Sequence, residues 1–117
     1  MHELSVCQAL LTQVAASARQ HGAEAVERIT IEIGALSGVE PLLLLDAFSV
    51  MRSGSVASGA ELLIETIGVS VSCLTCGART ETQANRLVCA ACGGFRTRVI
   101  SGDELRLRRI EMRVPGL

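Results

Sequence analysis

Two short cysteine pairs set the tightest limit on how this chain can fold. Cys73-Leu-Thr-Cys76 and Cys89-Ala-Ala-Cys92 are both C-x2-C pairs, with twelve residues between them. A tight turn brings the two thiolates of one pair to the same ion, and a glycine after the second cysteine, Gly77 or Gly93, frees the backbone to curl. Gly94 stands beside the second pair. Two such knuckles supply four sulfurs, the closed tetrahedral set that structural Zn(II) prefers, although iron accepts the same ligands. A segment of about thirty residues buries little core, so metal binding must supply most of its folding energy, about 10–16 kcal/mol in zinc-finger peptides. A catalytic zinc keeps one position open for water. Here sulfur fills the shell and no His, Asp or Glu lies inside the knuckles to act as a base, so the site reads as structural.

The rest of the chain has the periodicities of a small α+β domain. From Leu4 to about Gln20, apolar residues fall at Leu4, Cys7, Leu10, Leu11, Val14 and Ala18, which is helical spacing closed by Gly22. Cys7 lies on that apolar face and is expected to be a buried small hydrophobe. His21, at the end of the same helix, fits a cap or a solvated position. Ile29, Ile31 and Ile33 alternate with Arg28, Thr30 and Glu32 within a strand over 26–33. After a loop at 34–38, Pro41 suits the first turn of a second helix running to about Arg52. A Gly/Ser-rich loop over 53–59 precedes a strand from Glu61 to about Val71. A last strand over 103–114 shifts phase between Leu107 and Ile110, as a β-bulge near Arg108–Arg109 would require.

Two helices covering a small three-stranded sheet bury these stripes. Residues 1–70 together with 102–117 are expected to form that domain, and 71–101 an inserted zinc-ribbon-like module. Leu42 to Leu45 are four leucines in a row, more than one helix face can bury. Some must meet another surface: the rest of the monomer, the zinc module or a second copy of the chain in a homodimer.

Charge is uneven although the net is only −1. Residues 1–72 hold eight acids against three arginines, and residues 73–117 hold eight arginines against four acids. Arg79, Arg86, Arg96 and Arg98 lie in or beside the cysteine module, as in a zinc-ribbon adaptor or nucleic-acid-binding protein. Against that alternative, Phe95 is the module's one aromatic, which leaves no stacking platform, and four thiolates on Zn(II) carry a formal −2. No Ser-His-Asp set, phosphate loop or carboxylate pair nominates an enzyme. The start has no basic and apolar export signal, and no apolar run approaches a membrane span. Cysteines in such a chain serve metal more readily than disulfides, and a cytoplasmic location is expected.

The remaining signal is Met1-His2-Glu3. The Met1 amine, the backbone nitrogen and ring of His2, and the Glu3 backbone nitrogen can close adjacent chelate rings around one ion. Four nitrogens in a plane suit Ni(II) or Cu(II), not Zn(II). An accessible nitrogen site beside a locked sulfur site is the pattern of a metal carrier.

Several segments together resemble the HypA/HybF family of hydrogenase maturation factors. They are Met1-His2-Glu3-Leu4-Ser5, the segment from Ile31 to Pro41 (IEIGALSGVEP), Gly59-Ala60-Glu61-Leu62, both C-x2-C pairs, and the segment from Ile100 to Leu105 (ISGDEL). The resemblance implies a nickel metallochaperone that binds Ni(II) through Met1, His2 and Glu3 and Zn(II) through Cys73, Cys76, Cys89 and Cys92. It implies delivery of nickel for maturation of [NiFe]-hydrogenase, with a nickel-handling GTPase and the hydrogenase large-subunit precursor as partners. Some family members also serve urease. Some place histidines beside the cysteine pairs and link them to pH switching, and this chain has none there. Its leucine run is also more apolar than the family pattern, which favours dimerisation or domain exchange.

Overall fold

A computed structural model describes residues 2–116. In chain order the elements are α1 (Glu3–Gln20), β1 (Ala25–Gly34), α2 (Pro41–Met51), β2 (Glu61–Ile67), β3 (Val69–Cys73), β4 (Arg79–Thr82), β5 (Thr97–Ser101) and β6 (Leu105–Arg113). They form two helices and two three-stranded sheets, ordered β2-β1-β6 and β4-β3-β5. The chain divides into two compact units. One comprises Met1–Ile31, Val39–Ile64 and Leu107–Leu117, and the other Glu32–Gly38 and Glu65–Arg106.

In the first unit, α1 buries Cys7, Leu10, Val14 and Ala18, the stripe expected from their spacing. Gly22 ends it at φ 65°, a left-handed conformation that favours glycine. His21 caps the helix, its Nδ1 lying 2.8 Å from the Ser17 carbonyl. Helix α2 starts on Pro41 and buries Leu44, Ala47 and Phe48. Val26, Ile29 and Ile31 of β1 complete an almost wholly aliphatic core. Cys7 is fully buried, and burial raises its thiol pKa. The leucine run divides as helical geometry requires: Leu44 is sealed, while Leu42 and Leu43 stay 69% and 50% exposed. Arginine–carboxylate pairs tie the surface of this unit, Arg28 to Glu61 and Glu111, and Arg113 to Glu24.

Two details differ from the sequence expectation. The single strand expected over 61–71 is two strands, β2 and β3, parted at Gly68 and belonging to different sheets. Glycine lacks the side chain that would hold a strand to one sheet. The short strand β4 carried no apolar signal, since Arg79-Thr80-Glu81-Thr82 has no hydrophobic face to reveal it, and β5 offered only Val99 and Ile100. Along β6, Leu107 and Ile110 are half-buried with two exposed arginines between them, which preserves the phase change read from the sequence.

In the second unit, β3 is the central strand of an antiparallel sheet, pairing Ser72 with Arg79 of β4 and with Arg98 of β5. Gly34 packs against the backbone of Gly102, whose carbonyl accepts from the Leu36 amide at 2.6 Å. No helix among the described residues is long and apolar enough to cross a membrane.

Candidate metal centre

Strand β3 delivers Cys73 at its end, and each C-x2-C pair then folds into the same turn. The Gly77 amide donates to the Cys73 carbonyl at 3.0 Å, and the Gly93 amide to the Cys89 carbonyl at 2.8 Å. The Cys73 amide donates to the Ala78 carbonyl at 2.9 Å, and the Cys89 amide to the Gly94 carbonyl at 2.8 Å. Gly77 and Gly93 have φ of 78° and 77°, left-handed values that explain why a glycine follows each pair.

These matching turns bring the four sulfurs within 4.8 Å of one another. Cys73 Sγ lies 3.7 Å from Cys92 Sγ, and Cys76 Sγ 3.6 Å from Cys89 Sγ. A tetrahedron with Zn–S bonds of about 2.3 Å has edges of about 3.8 Å, so the set fits a zinc-sized ion. All five cysteines are free thiols, so no disulfide competes for these four. Cys73 and Cys89 are buried, whereas Cys76 and Cys92 face solvent.

Amide hydrogens aim at the sulfurs. The Cys76 and Thr75 amides donate to Cys73 Sγ at 3.4 and 3.3 Å and bring its pKa down to about 6. The Cys92 amide does most to lower the pKa of Cys89. At Cys92 the Gly94 amide, 3.4 Å away, also pulls the pKa down, but the three neighbouring sulfurs outweigh it and push the value up to about 11. Four sulfurs this close cannot all ionise without a cation among them, so metal uptake releases protons. Cys73, Cys76, Cys89 and Cys92 would hold the ion, and its chemistry there is to neutralise and tether the two turns.

Some contacts that frame this centre escaped sequence reading. A Cβ on Gly94 would lie 3.3 Å from Cys92 Sγ and 3.8 Å from Cys73 Sγ, so a larger residue there would press on the Cys92 sulfur. Thr80 Oγ1 accepts from the Ala90 amide at 3.1 Å, and Thr97 Oγ1 donates to the Leu87 carbonyl at 2.8 Å. These hydroxyls pin the second knuckle and the residues leading into it to β4 and β5. Alternation of threonine with charged residues was the one available signal.

Of the N-terminal candidates, Met1 lies outside the described residues. His2 precedes α1 as its N-cap, exposed, and its side chain makes no capping hydrogen bond. Glu3 is the first helical residue, and its side chain is buried. Its Oε2 accepts from the Glu40 amide at 3.0 Å, which straps the start of α1 to the start of α2. That amide is the main cause holding the carboxyl down at about 2. Beside it, Leu4, Leu43, Ala47, Val50 and Met51 line an apolar groove of about 620 Å³ with Asp46 on its rim.

A family model described as "Hydrogenase/urease nickel incorporation, metallochaperone, hypA" matches residues 1–112. A protein of Aquifex aeolicus called "Hydrogenase maturation factor HypA" is 40% identical over 114 residues, covering 97% of this chain and 99% of that protein. One of the same name from Nitrosospira multiformis is 45% identical over 112 residues, covering 96% and 97%. The solution structure of the Ni metallochaperone HypA from Helicobacter pylori superposes with a TM-score of 0.71 at 30% identity, covering 97% of this chain and 99% of that one.

Proposed function

The chain belongs to the HypA family of nickel metallochaperones for hydrogenase maturation, and from that premise we propose that it binds Ni(II) at its N-terminus and hands the ion on for [NiFe]-hydrogenase assembly. The family is one of accessory factors, not enzymes. Zn(II) in the four-cysteine centre holds its fold. The nickel ligands are the Met1 amine, the ring and backbone nitrogen of His2, and the Glu3 backbone nitrogen.

One observation carries the N-terminal part of this reading: the Glu3 carboxylate is turned to the start of α2, while the Glu3 backbone nitrogen stands in the first turn of α1. The carboxylate is engaged by the Glu40 amide. The backbone nitrogen is at the first helical position, where a helix has no carbonyl to offer it, so using it as a ligand breaks no helical hydrogen bond. The His2 ring is exposed and uncommitted to the cap, free to turn toward an ion. Nitrogen ligands must shed protons to bind, so nickel affinity falls below neutral pH.

We assign residues 1–70 with 102–117 to the nickel-binding domain and 71–101 to an inserted zinc module. Nickel passes to a nickel-handling GTPase and the hydrogenase large-subunit precursor in the cytoplasm. Leu42 and Leu43, open to solvent, are the surface through which two copies would pair. The ligand assignment is tested by adding one glycine before Met1, which moves the amine out of chelating reach. The extended protein is expected to lose nickel binding and keep its zinc. Equal nickel binding by the two forms would overturn the assignment.

A further inference from the structure

We infer that the outward face of the small β4-β3-β5 sheet docks an acidic segment of a partner protein that carries an apolar side chain beside its carboxylates. The inference does not depend on nickel at the N-terminus. Residues directly opposite each other in an antiparallel sheet share a face, so Arg79, Ser72 and Arg98 form one row across the three strands. Val71 and Cys73, of opposite parity along β3, are buried, which leaves Ser72 outward and both arginines exposed. The Leu74 amide donates to the Arg96 carbonyl at 2.8 Å, extending the same face by one more pair.

The row is a trough. Two strand spacings set the outer Cα atoms about 10 Å apart. Its floor is a serine whose hydroxyl can donate, and its walls are guanidinium forks shaped to grip carboxylates in pairs. Among the described residues Arg79, Arg96 and Arg98 have no side-chain partner, whereas Arg28, Arg106 and Arg113 are each held by a glutamate. At one end of the face Leu74 is 58% exposed, and Phe95, just before Arg96 in the chain, is 81% exposed, an apolar anchor of the kind that protein interfaces bury.

Charge decides between a protein and a nucleic acid. Residues 71–101 hold four arginines against Glu81, and the formal −2 of four thiolates on Zn(II) offsets much of that balance. The remainder suits a few carboxylates better than a continuous phosphate backbone, and a lone aromatic offers no stacking platform.

The test uses the zinc-loaded full chain and fluorescence anisotropy. The probe is a labelled Gly/Ser peptide with a central Glu-Leu-Glu-Leu-Glu stretch, set beside its Gln-for-Glu counterpart and a labelled single-stranded oligonucleotide. The acidic peptide is expected to bind and its glutamine counterpart not to. Affinity is expected to drop on the order of tenfold in Arg79→Gln/Arg98→Gln. It is expected to be partly restored in Arg79→Lys/Arg98→Lys and reduced in Leu74→Ser/Phe95→Ser, with zinc content unchanged throughout. If the glutamine pair loses zinc, Arg98→Gln alone carries the comparison. No peptide binding, equal binding by the glutamine variant, or tighter binding of the oligonucleotide than of the peptide would overturn the inference.

Discussion

At Gly94 a single methyl group would crowd the metal centre, since its Cβ would meet Cys92 Sγ, Cys73 Sγ and Thr75 Oγ1. Gly94→Ala is therefore expected to release zinc faster to a chelator while leaving both helices intact, as measured by a colorimetric chelator assay beside circular dichroism. Gly34 is tighter still: an added Cβ would lie 2.1 Å from the Gly102 carbonyl oxygen, which is backbone and cannot swing aside. Gly34→Ala is expected to cost about 3 kcal/mol or more in urea unfolding. Glu104 gives a pH dependence. Its own amide and that of Gly102, at 2.6 Å, hold its pKa below the usual carboxylate range. A depressed folded value means that the stabilisation is complete above the unfolded value of about 4.3 and is lost as pH falls through the folded one. Glu104→Gln is expected to lower the melting temperature at neutral pH and to flatten its decline in acid. Much at this scale was readable in the sequence: the four cysteines, the glycines after them, and Cys7 in the core. The close approaches of Gly34 and Gly94 were not, because they depend on residues distant in the chain or on the sulfurs themselves.

Among the elements, α1 and β1 were the most legible, because a 3.6-residue stripe and an isoleucine alternation each record the face that gets buried. Ile29 is fully buried in β1, so Ile29→Ala is expected to cost about 2–5 kcal/mol and Ile29→Val about 0.5–1.5, measured by urea denaturation. The break at Gly68 was hidden because apolar residues flank it on both sides, and a continuous Leu/Ile/Val-rich run says nothing about which sheet a strand joins. Strands β4 and β5 were hidden for the opposite reason. They are held by backbone pairing, by Thr80 and Thr97 hydroxyls and by the cysteine turns, so little apolar pattern was required: β4 has none and β5 only Val99 and Ile100.

For the whole molecule, the two units rest on different physics. The helical unit is built on an aliphatic core. The β4-β3-β5 sheet buries little beyond Val69, Val71, Cys73 and Cys89. Chelating the zinc is expected to abolish amide-exchange protection in residues 71–101 while helical ellipticity persists, because metal binding is the folding energy of such a module. Loss of both signals together would show a single cooperative unit. The four-cysteine centre was legible because ligand type and spacing set the chemistry of a closed site, whereas the proposed N-terminal site would draw on only two neighbouring residues and an amine. The most direct test of the account is calorimetric titration of the zinc-loaded, untagged protein with Ni(II) beside its His2→Ala variant. The expected result is saturable nickel binding that vanishes in the variant with zinc content unchanged. Equal nickel binding by the two proteins would contradict it.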